Sequence, residues 1–437
     1  MSSKTKVVPA ISSLQFPFLL QKDQLEAIDA WLKNGLRGSI IYSTGTGKTE
    51  IAFECARRAA SMLSYDRFRV LFLVPRIVLI EQNVKRLLDY GLRKDVVGVY
   101  YGERKDAKEI TISTYQSVIN NFDLIRNANM IILDEIHFLS ETAAEFDKIF
   151  DVILEDPKKA ILGLTATLNE KDVKYSTIMI VAPPIRKYMI KDAVTDGRLA
   201  KPVIIPRPVR FTSYEQRVYE ETSSKIKEIS AKLQVHDPIT ISKILVNGGP
   251  RSSLAKSWFA NVHRRKEILS TASHKFMQAL NIVKEHPNER IMIFSETIES
   301  IEKLKKILEE NHINAKSIHN QVRAKERKLI LEQWGKEYFP LLSVHTLEIG
   351  YDIPQAGIAI IIASTSNINQ IVQRIGRVIR KFEGKNRALI YVIYVNDTKD
   401  DIILKLVKEA IEKKGYNTNK ESFKETTILS YFNNDKE

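Results

Sequence analysis

Between Ser39 and Lys48 a short apolar run, a glycine-bearing turn and the first residues of a helix follow one another without a spare residue. Ser39 to Tyr42 reads as a strand, Ser43-Thr44-Gly45-Thr46-Gly47-Lys48-Thr49 as the turn, and the chain beyond it as a helix. Gly45 and Gly47 let the backbone curl until successive amide hydrogens face one point, and the new helix turns its positive end to the same point. That arrangement suits the β- and γ-phosphates of a nucleotide: Lys48 adds a point charge, and Thr49 can ligate Mg²⁺. Tyr42 stands where the phosphate-loop pattern has Gly or Ala, while the Gly-Lys-Thr core is intact.

A strand feeding a helix in this way belongs to a parallel sheet covered on both faces, and the surrounding chain has that rhythm. Strands are expected at Ser39 to Tyr42, Val70 to Val74, Val96 to Tyr100, Ile110 to Ser113, Met130 to Leu133 and Ala160 to Leu164. The pattern resumes at Arg290 to Phe294, Ala315 to Ile318, Leu341 to Val344, Ile358 to Ile362 and Ala388 to Tyr394, with a helix at Ile301 to Glu310. The fold class is therefore α/β with two tandem lobes, over residues 1–185 and 286–414. Pro183-Pro184 and Pro202, Pro206 and Pro208 break the periodicity between them, and residues 214–285 read as largely helical around a Gly248-Gly249-Pro250 turn. Residues 186–285 are expected to be an arm or insertion and not a third sheet, and residues 415–437 a loosely held polar tail.

Asp134 and Glu135 follow the apolar strand Met130 to Leu133 and so emerge at its carboxyl end, where open α/β sheets bind ligands. With Lys48 in the same lobe, Asp134 is expected to hold the Mg²⁺ shell and Glu135 to orient or deprotonate the attacking water. His137, His263 and His319 are scattered and read as structural or relay residues, not metal ligands.

The chain carries 67 Lys and Arg against 53 Asp and Glu, a net charge of +14, and residues 186–285 alone hold 19 against 9. Clustered cations point to a polyanionic partner, a solvated basic surface being the alternative. The aromatic pair Trp258-Phe259 lies in the same stretch and suits either stacking on a base or packing the arm. A single cysteine, Cys55, excludes a disulfide and a cysteine metal cluster. No run is long and apolar enough for a secretory signal or a membrane span, so a cytoplasmic protein with no membrane partner is expected.

The phosphate loop and Asp134-Glu135-Ile136-His137, in this order, resemble the ATP half of a superfamily 2 helicase of the DExH type, a family of two RecA-like domains. Val74-Pro75-Arg76, Thr114-Tyr115-Gln116, Thr165-Ala166-Thr167, Ile291 to Ser295, Thr346 to Pro354 and Gln373-Arg374-Ile375-Gly376-Arg377-Val378-Ile379-Arg380 are similar to its other motifs. Within the superfamily, Gly163 to Leu168 and Gly197-Arg198-Leu199-Ala200 look like the XPB-like branch of repair and branch-migration helicases. Glu170-Lys171-Asp172 keeps that branch's Arg-Glu-Asp signature only in part. Gln24 matches the family's adenine-side glutamine, while Gln21 and Asp23 replace its usual basic and aromatic neighbours. With the motor beginning near residue 16, no damage-recognition domain is expected ahead of it.

The resemblance implies an ATP-dependent DNA helicase or translocase with 3′ to 5′ movement, acting in repair or recombination. ATP would be held by Gln24, Thr44, Gly45, Thr46, Gly47, Lys48 and Thr49 together with Gly350 and Asp352, and a strand by Pro75, Arg76, Thr114 and Thr346. Arg374, Arg377 and Arg380, spaced by three, read as one helical face; Arg377 and Arg380 are expected to reach across an interlobe cleft as arginine fingers, a basic surface helix being the alternative. His137, Thr165, Thr167, Gln373 and Arg374 would couple the nucleotide to the strand. A monomeric motor on single-stranded or forked DNA with a nuclease or repair partner is expected; the rivals are an RNA helicase, an ATP-gated scaffold that does not unwind, and the motor subunit of a restriction complex, which would predict a nuclease partner.

Overall fold

The computed structural model describes residues 8–63, 65, 67–141, 146–168, 175–344, 356–363 and 368–413. Two compact units divide them, the first holding the described residues up to Leu199 with 411–413 and the second those from Ala200 to Ala410.

The first unit is an eight-stranded sheet of β1 (Arg37–Tyr42), β2 (Val70–Val74), β3 (Val97–Tyr101), β4 (Arg104–Asp106), β5 (Ile110–Thr114), β6 (Met130–Asp134), β7 (Ala160–Thr165) and β8 (Pro184–Tyr188). Their order across the sheet is β4-β3-β5-β2-β6-β7-β1-β8, and only the β3–β4 pair is antiparallel. The middle strands are buried on both faces because runs such as Val-Leu-Phe-Leu-Val leave no polar side for solvent. Leu71, Leu73, Ile131 and Leu133 face a core that Ile149, Phe150 and Ile153 close from the helix Asp147–Leu154.

The second unit is a six-stranded parallel sheet of β9 (Lys201–Val209), β10 (Ile291–Ser295), β11 (Lys316–Ile318), β12 (Pro340–Val344), β13 (Ile358–Ile361) and β14 (Arg387–Val395), ordered β11-β12-β10-β13-β14-β9. Ile291 and Ile293 meet Ile301, Leu304 and Leu308 of the helix Ile298–Glu310, whose N-cap Thr297 accepts from the Ser300 amide.

Both proline stretches expected to interrupt the sheets instead form edge strands. Pro184 opens β8, and Pro202, Pro206 and Pro208 sit at alternate positions of β9. Lys201 donates its amide towards the β14 side, to Asn386 O, so odd positions face the ladder and the prolines fall in the phase whose N–H would point to the open edge. β9 and the helix Ser273–Glu285, both expected in the arm, belong to the second sheet and its core.

The arm that remains is three helices, Ser213–Leu233, Pro238–Asn247 and Ser252–Ser270, with a core of their own around Leu233, Ile241 and Trp258. Trp258 is buried, donates its indole N–H to Ser230 Oγ at 2.8 Å and meets Phe259 edge-on, so of the two readings of this pair the packing one holds.

Candidate active site

The parallel strands β1, β2, β5, β6 and β7 end on one edge of the first sheet, and the residues singled out in the sequence follow those ends. After β1, Gly45 and Gly47 take φ of 89° and 85°, which L side chains rarely adopt. A Cβ at Gly47 would come within 2.2 Å of Gln24 Nε2. Thr46 donates its hydroxyl to Ser43 O at 2.7 Å, which closes the loop. The helix Lys48–Met62 starts at the loop's end, with Lys48 Nζ donating to Tyr42 O at 3.0 Å and Thr49 beside it in the first turn. The buried hydroxyl oxygens of Ser43 and Thr44 have no hydrogen-bond partner among the described residues, as fits a cradle for a polar ligand.

Gln24 lies against this loop: its Nε2 donates to Thr46 O at 3.3 Å and Gly47 O at 3.2 Å, while its Oε1 accepts from the Gln21 amide at 2.8 Å. Tyr42, in place of the pattern's small residue, is fully buried; it donates to Asp23 O at 2.7 Å and accepts from Arg186 Nε at 2.9 Å.

At the end of β6, Tyr115 donates to Asp134 O at 2.8 Å and holds the strand terminus. Burial and the neighbouring Glu135 push the Asp134 carboxyl up to about 7, against the opposing pull of Lys48. A buried carboxyl raised by desolvation and by a neighbouring carboxylate fits a divalent cation, and Asp134 with the Thr49 hydroxyl would hold one. Glu135 takes φ of 51°, a strained turn for a residue with a side chain, and its Oε2 lies 3.4 Å from His137 Nδ1. The same nitrogen is 2.9 Å from Thr165 Oγ1, and Thr165 donates to Thr167 O at 2.6 Å. Ile136 N donates to Leu164 O at 2.9 Å, so the carboxylates and the end of β7 form one hydrogen-bonded unit. His137 thus bridges two motifs, and among the described residues no cluster of His, Cys, Asp and Glu could hold a metal ion by itself.

Pro75 and Arg76 lie past the end of β2, Pro75 half-buried and Arg76 exposed. Thr114, at the end of β5, caps a short helix, accepting from Ser117 N at 3.1 Å and donating to Ser117 Oγ at 2.8 Å.

In the second unit Gln373, Arg374 and Arg377 are buried, which removes the reading of this segment as a solvated basic face. Arg374 stacks over Phe294, 5.8 Å from its ring centre, and donates to Ala363 O at 3.3 Å. Arg380 does not continue the helical face: the helix Ile368–Val378 stops before it, and Lys385 Nζ takes the carbonyls of Val378 and Arg380 where the chain turns away. Thr346, Gly350, Asp352 and the Glu170-Lys171-Asp172 stretch lie outside the described residues.

Two side chains that support the site escaped the sequence reading, Arg186 and Lys385, while Tyr115 stood in the Thr114-Tyr115-Gln116 motif with no role assigned to it. A lone Lys or Arg in a basic chain carries no signal until its buried partner is known.

The family model for the type III restriction enzyme res subunit matches residues 18–170, and that for the helicase conserved C-terminal domain matches residues 274–382. The DNA 3′-5′ translocase XPB2 of Sulfurisphaera tokodaii is 28% identical over 404 residues, covering 89% of this chain and 86% of its own. The DNA 3′-5′ helicase XPB of Mycobacterium tuberculosis is 23% identical over 404 residues, covering 89% of this chain and 63% of its own. Among solved structures, the ATP-dependent type ISP restriction-modification enzyme LlaBIII bound to DNA has the same fold, with a TM-score of 0.60 at 18% identity, over 91% of this chain and 30% of that one. The chain therefore spans most of the first relative, less than two thirds of the second and under a third of the solved enzyme. The two family models matched in order across two parallel-sheet units, together with XPB-named relatives over 89% of the chain, support a superfamily 2 helicase of the XPB-like kind.

Proposed function

We propose that the chain is an ATP-driven DNA motor, a helicase or translocase moving 3′ to 5′, that remodels duplexes in repair or recombination. The observation that carries this reading is the convergence of Lys48, Asp134 and Glu135 at one sheet edge, with Glu135 tied through His137 to Thr165. A phosphate loop alone binds nucleotide; a carboxylate pair wired to a neighbouring strand end also gives hydrolysis a way out of the site.

Lys48 and the loop amides hold the β- and γ-phosphates, and Glu135 orients the attacking water and receives its proton. A divalent cation on Asp134 and Thr49 would offset the charge of the phosphates. Arg377 and Arg380 serve as the fingers that complete the positive charge around the γ-phosphate, a role worth roughly 10³ to 10⁵ in rate. Gly350 and Asp352 join the nucleotide site, and Pro75, Arg76, Thr114 and Thr346 line the strand's path. Gln373 and Arg374 work with Thr165 and Thr167 in coupling, and the basic arm grips the backbone. DNA rather than RNA is favoured by the names of the XPB relatives.

Strand displacement tests the reading: forked DNA with a 3′ or a 5′ tail and the matching RNA forks, with Glu135→Gln as the inactive control. Displacement of the 3′-tailed DNA is expected. Activity on RNA alone would make the chain an RNA helicase, and ATP hydrolysis with neither displacement nor translocation would make it a scaffold.

A further inference from the structure

Two of the three positions at which the nucleotide site departs from its family pattern, Asp23 and Tyr42, belong to one polar lattice in the first unit. Tyr42 OH donates to Asp23 O and accepts from Arg186, which also pairs with Glu26. The Asp23 carboxylate is 7% exposed and lies 3.6 Å from Arg198 NH1. Arg198 NH2, in turn, donates to Thr46 O, inside the phosphate loop, at 2.7 Å.

The backbone explains how Arg198 arrives there from 152 residues away. The helix Ile190–Thr195 ends in a Schellman turn: Gly197, at φ of 70°, follows the cap, its amide donating to Val194 O at 3.1 Å and that of Arg198 to Ala193 O at 2.8 Å. Tyr188, the last residue of β8, fixes the same turn by donating to Asp196 Oδ2 at 2.8 Å and packs on Tyr42 with ring centres 5.0 Å apart. The turn is anchored on the strand beside β1, and its one guanidinium bridges the Asp23 carboxylate and the loop carbonyl.

We infer that Arg198 is a positioning residue of the nucleotide site, which holds the Thr46 carbonyl away from the phosphates so that the loop's amides stay turned towards them. A peptide has its carbonyl and amide on opposite sides, so fixing the oxygen of Thr46 fixes the direction of the Gly47 amide. The guanidinium fork suits this task because two of its nitrogens engage two acceptors at once, which an ammonium group does less well. Asp23 keeps the fork oriented: burial pushes its carboxyl up, and Arg198 is the first of the groups that oppose the shift.

This inference rests on the reading of residues 43–49 as a phosphate site, and one experiment separates the two. Binding of a fluorescent ATP analogue to the full chain is titrated for the wild type, Arg198→Ala, Arg198→Lys and Lys48→Ala, alongside ATP hydrolysis against ATP concentration. Losing a charge-assisted hydrogen bond to the loop is expected to weaken nucleotide binding about tenfold in Arg198→Ala and to raise KM in step, while the maximal rate stays within about twofold. Arg198→Lys, which keeps the charge but reaches one acceptor, is expected to fall between them and carries the test if Arg198→Ala melts below the assay temperature. Wild-type affinity in the arginine variants with binding lost in Lys48→Ala would overturn the role of Arg198 and leave the site standing. Wild-type affinity in Lys48→Ala would overturn the phosphate site itself.

Discussion

The imidazole of His137 meets the hydroxyl of Thr165 at 2.9 Å. Because Thr165 gives its own proton to the Thr167 carbonyl, Nδ1 is the donor to Thr165, and a single tautomer joins the carboxylate turn to the end of β7. The bond crosses from the element that handles the nucleotide to the strand next to it in the sheet.

Breaking that bond is expected to uncouple the motor before it stops hydrolysis. In His137→Ala the stimulation of ATP hydrolysis by single-stranded DNA should fall about tenfold, within the usual span of coupling between two sites, while hydrolysis without DNA changes far less. The ratio of rates with and without DNA is the measurement, and a proportional loss of both would assign His137 to the chemistry instead.

The raised Asp134 carboxyl has a consequence for stability. Its folded value of about 7 lies above the ordinary 3.8, so the fold favours the protonated form. That contribution is fully present below pH 3.8 and is lost as pH rises through about 7. Thermal melts with a chelator should therefore show the wild type losing stability between pH 5 and pH 8, by roughly several degrees, and Asp134→Asn losing less. Adding Mg²⁺ at pH 8 should restore the wild type and leave the variant unmoved.

Gly163 lies in β7 between β1 and β6, and a Cβ there would stand 2.2 Å from Ser39 Oγ and 3.0 Å from Ile136 Cδ1. Gly163→Ala is expected to cost about 1–3 kcal/mol, the usual penalty of overpacking a closed core. Urea unfolding measures it, and a cost under about 0.5 kcal/mol, the level of an inert surface change, would show that the strands part easily.

Trp258 is expected to behave as a core residue of the arm. Trp258→Phe, which removes the bond to Ser230, should lower stability by about 1–2 kcal/mol and leave affinity for single-stranded DNA within about twofold. A large loss of affinity at unchanged stability would reinstate base stacking.

The strands are legible in the sequence because both faces of each sheet are covered, so β2, β6 and β10 read as unbroken apolar runs. The phosphate loop and the carboxylate pair are legible because their chemistry depends on short fixed spacings. β8 and β9 are not, since a proline forbids a central strand and only the completed sheet shows that these two lie at its edges. Arg186 and Arg198 act through a hydroxyl and a carbonyl far along the chain, and no local pattern records such partners; Lys385 closes on the end of the helix just before it. The spacing of three from Arg374 to Arg380 suggests one helical face, whereas the carbonyls taken by Lys385 lie where the helix ends.

Steady-state ATP hydrolysis by the full chain, with and without single-stranded DNA, RNA and forked DNA, tests the motor itself, with Lys48→Ala as the blank. A DNA-driven rise in the wild type that disappears in Lys48→Ala is the predicted result. A rate that no nucleic acid raises, or one that survives in Lys48→Ala, would contradict it.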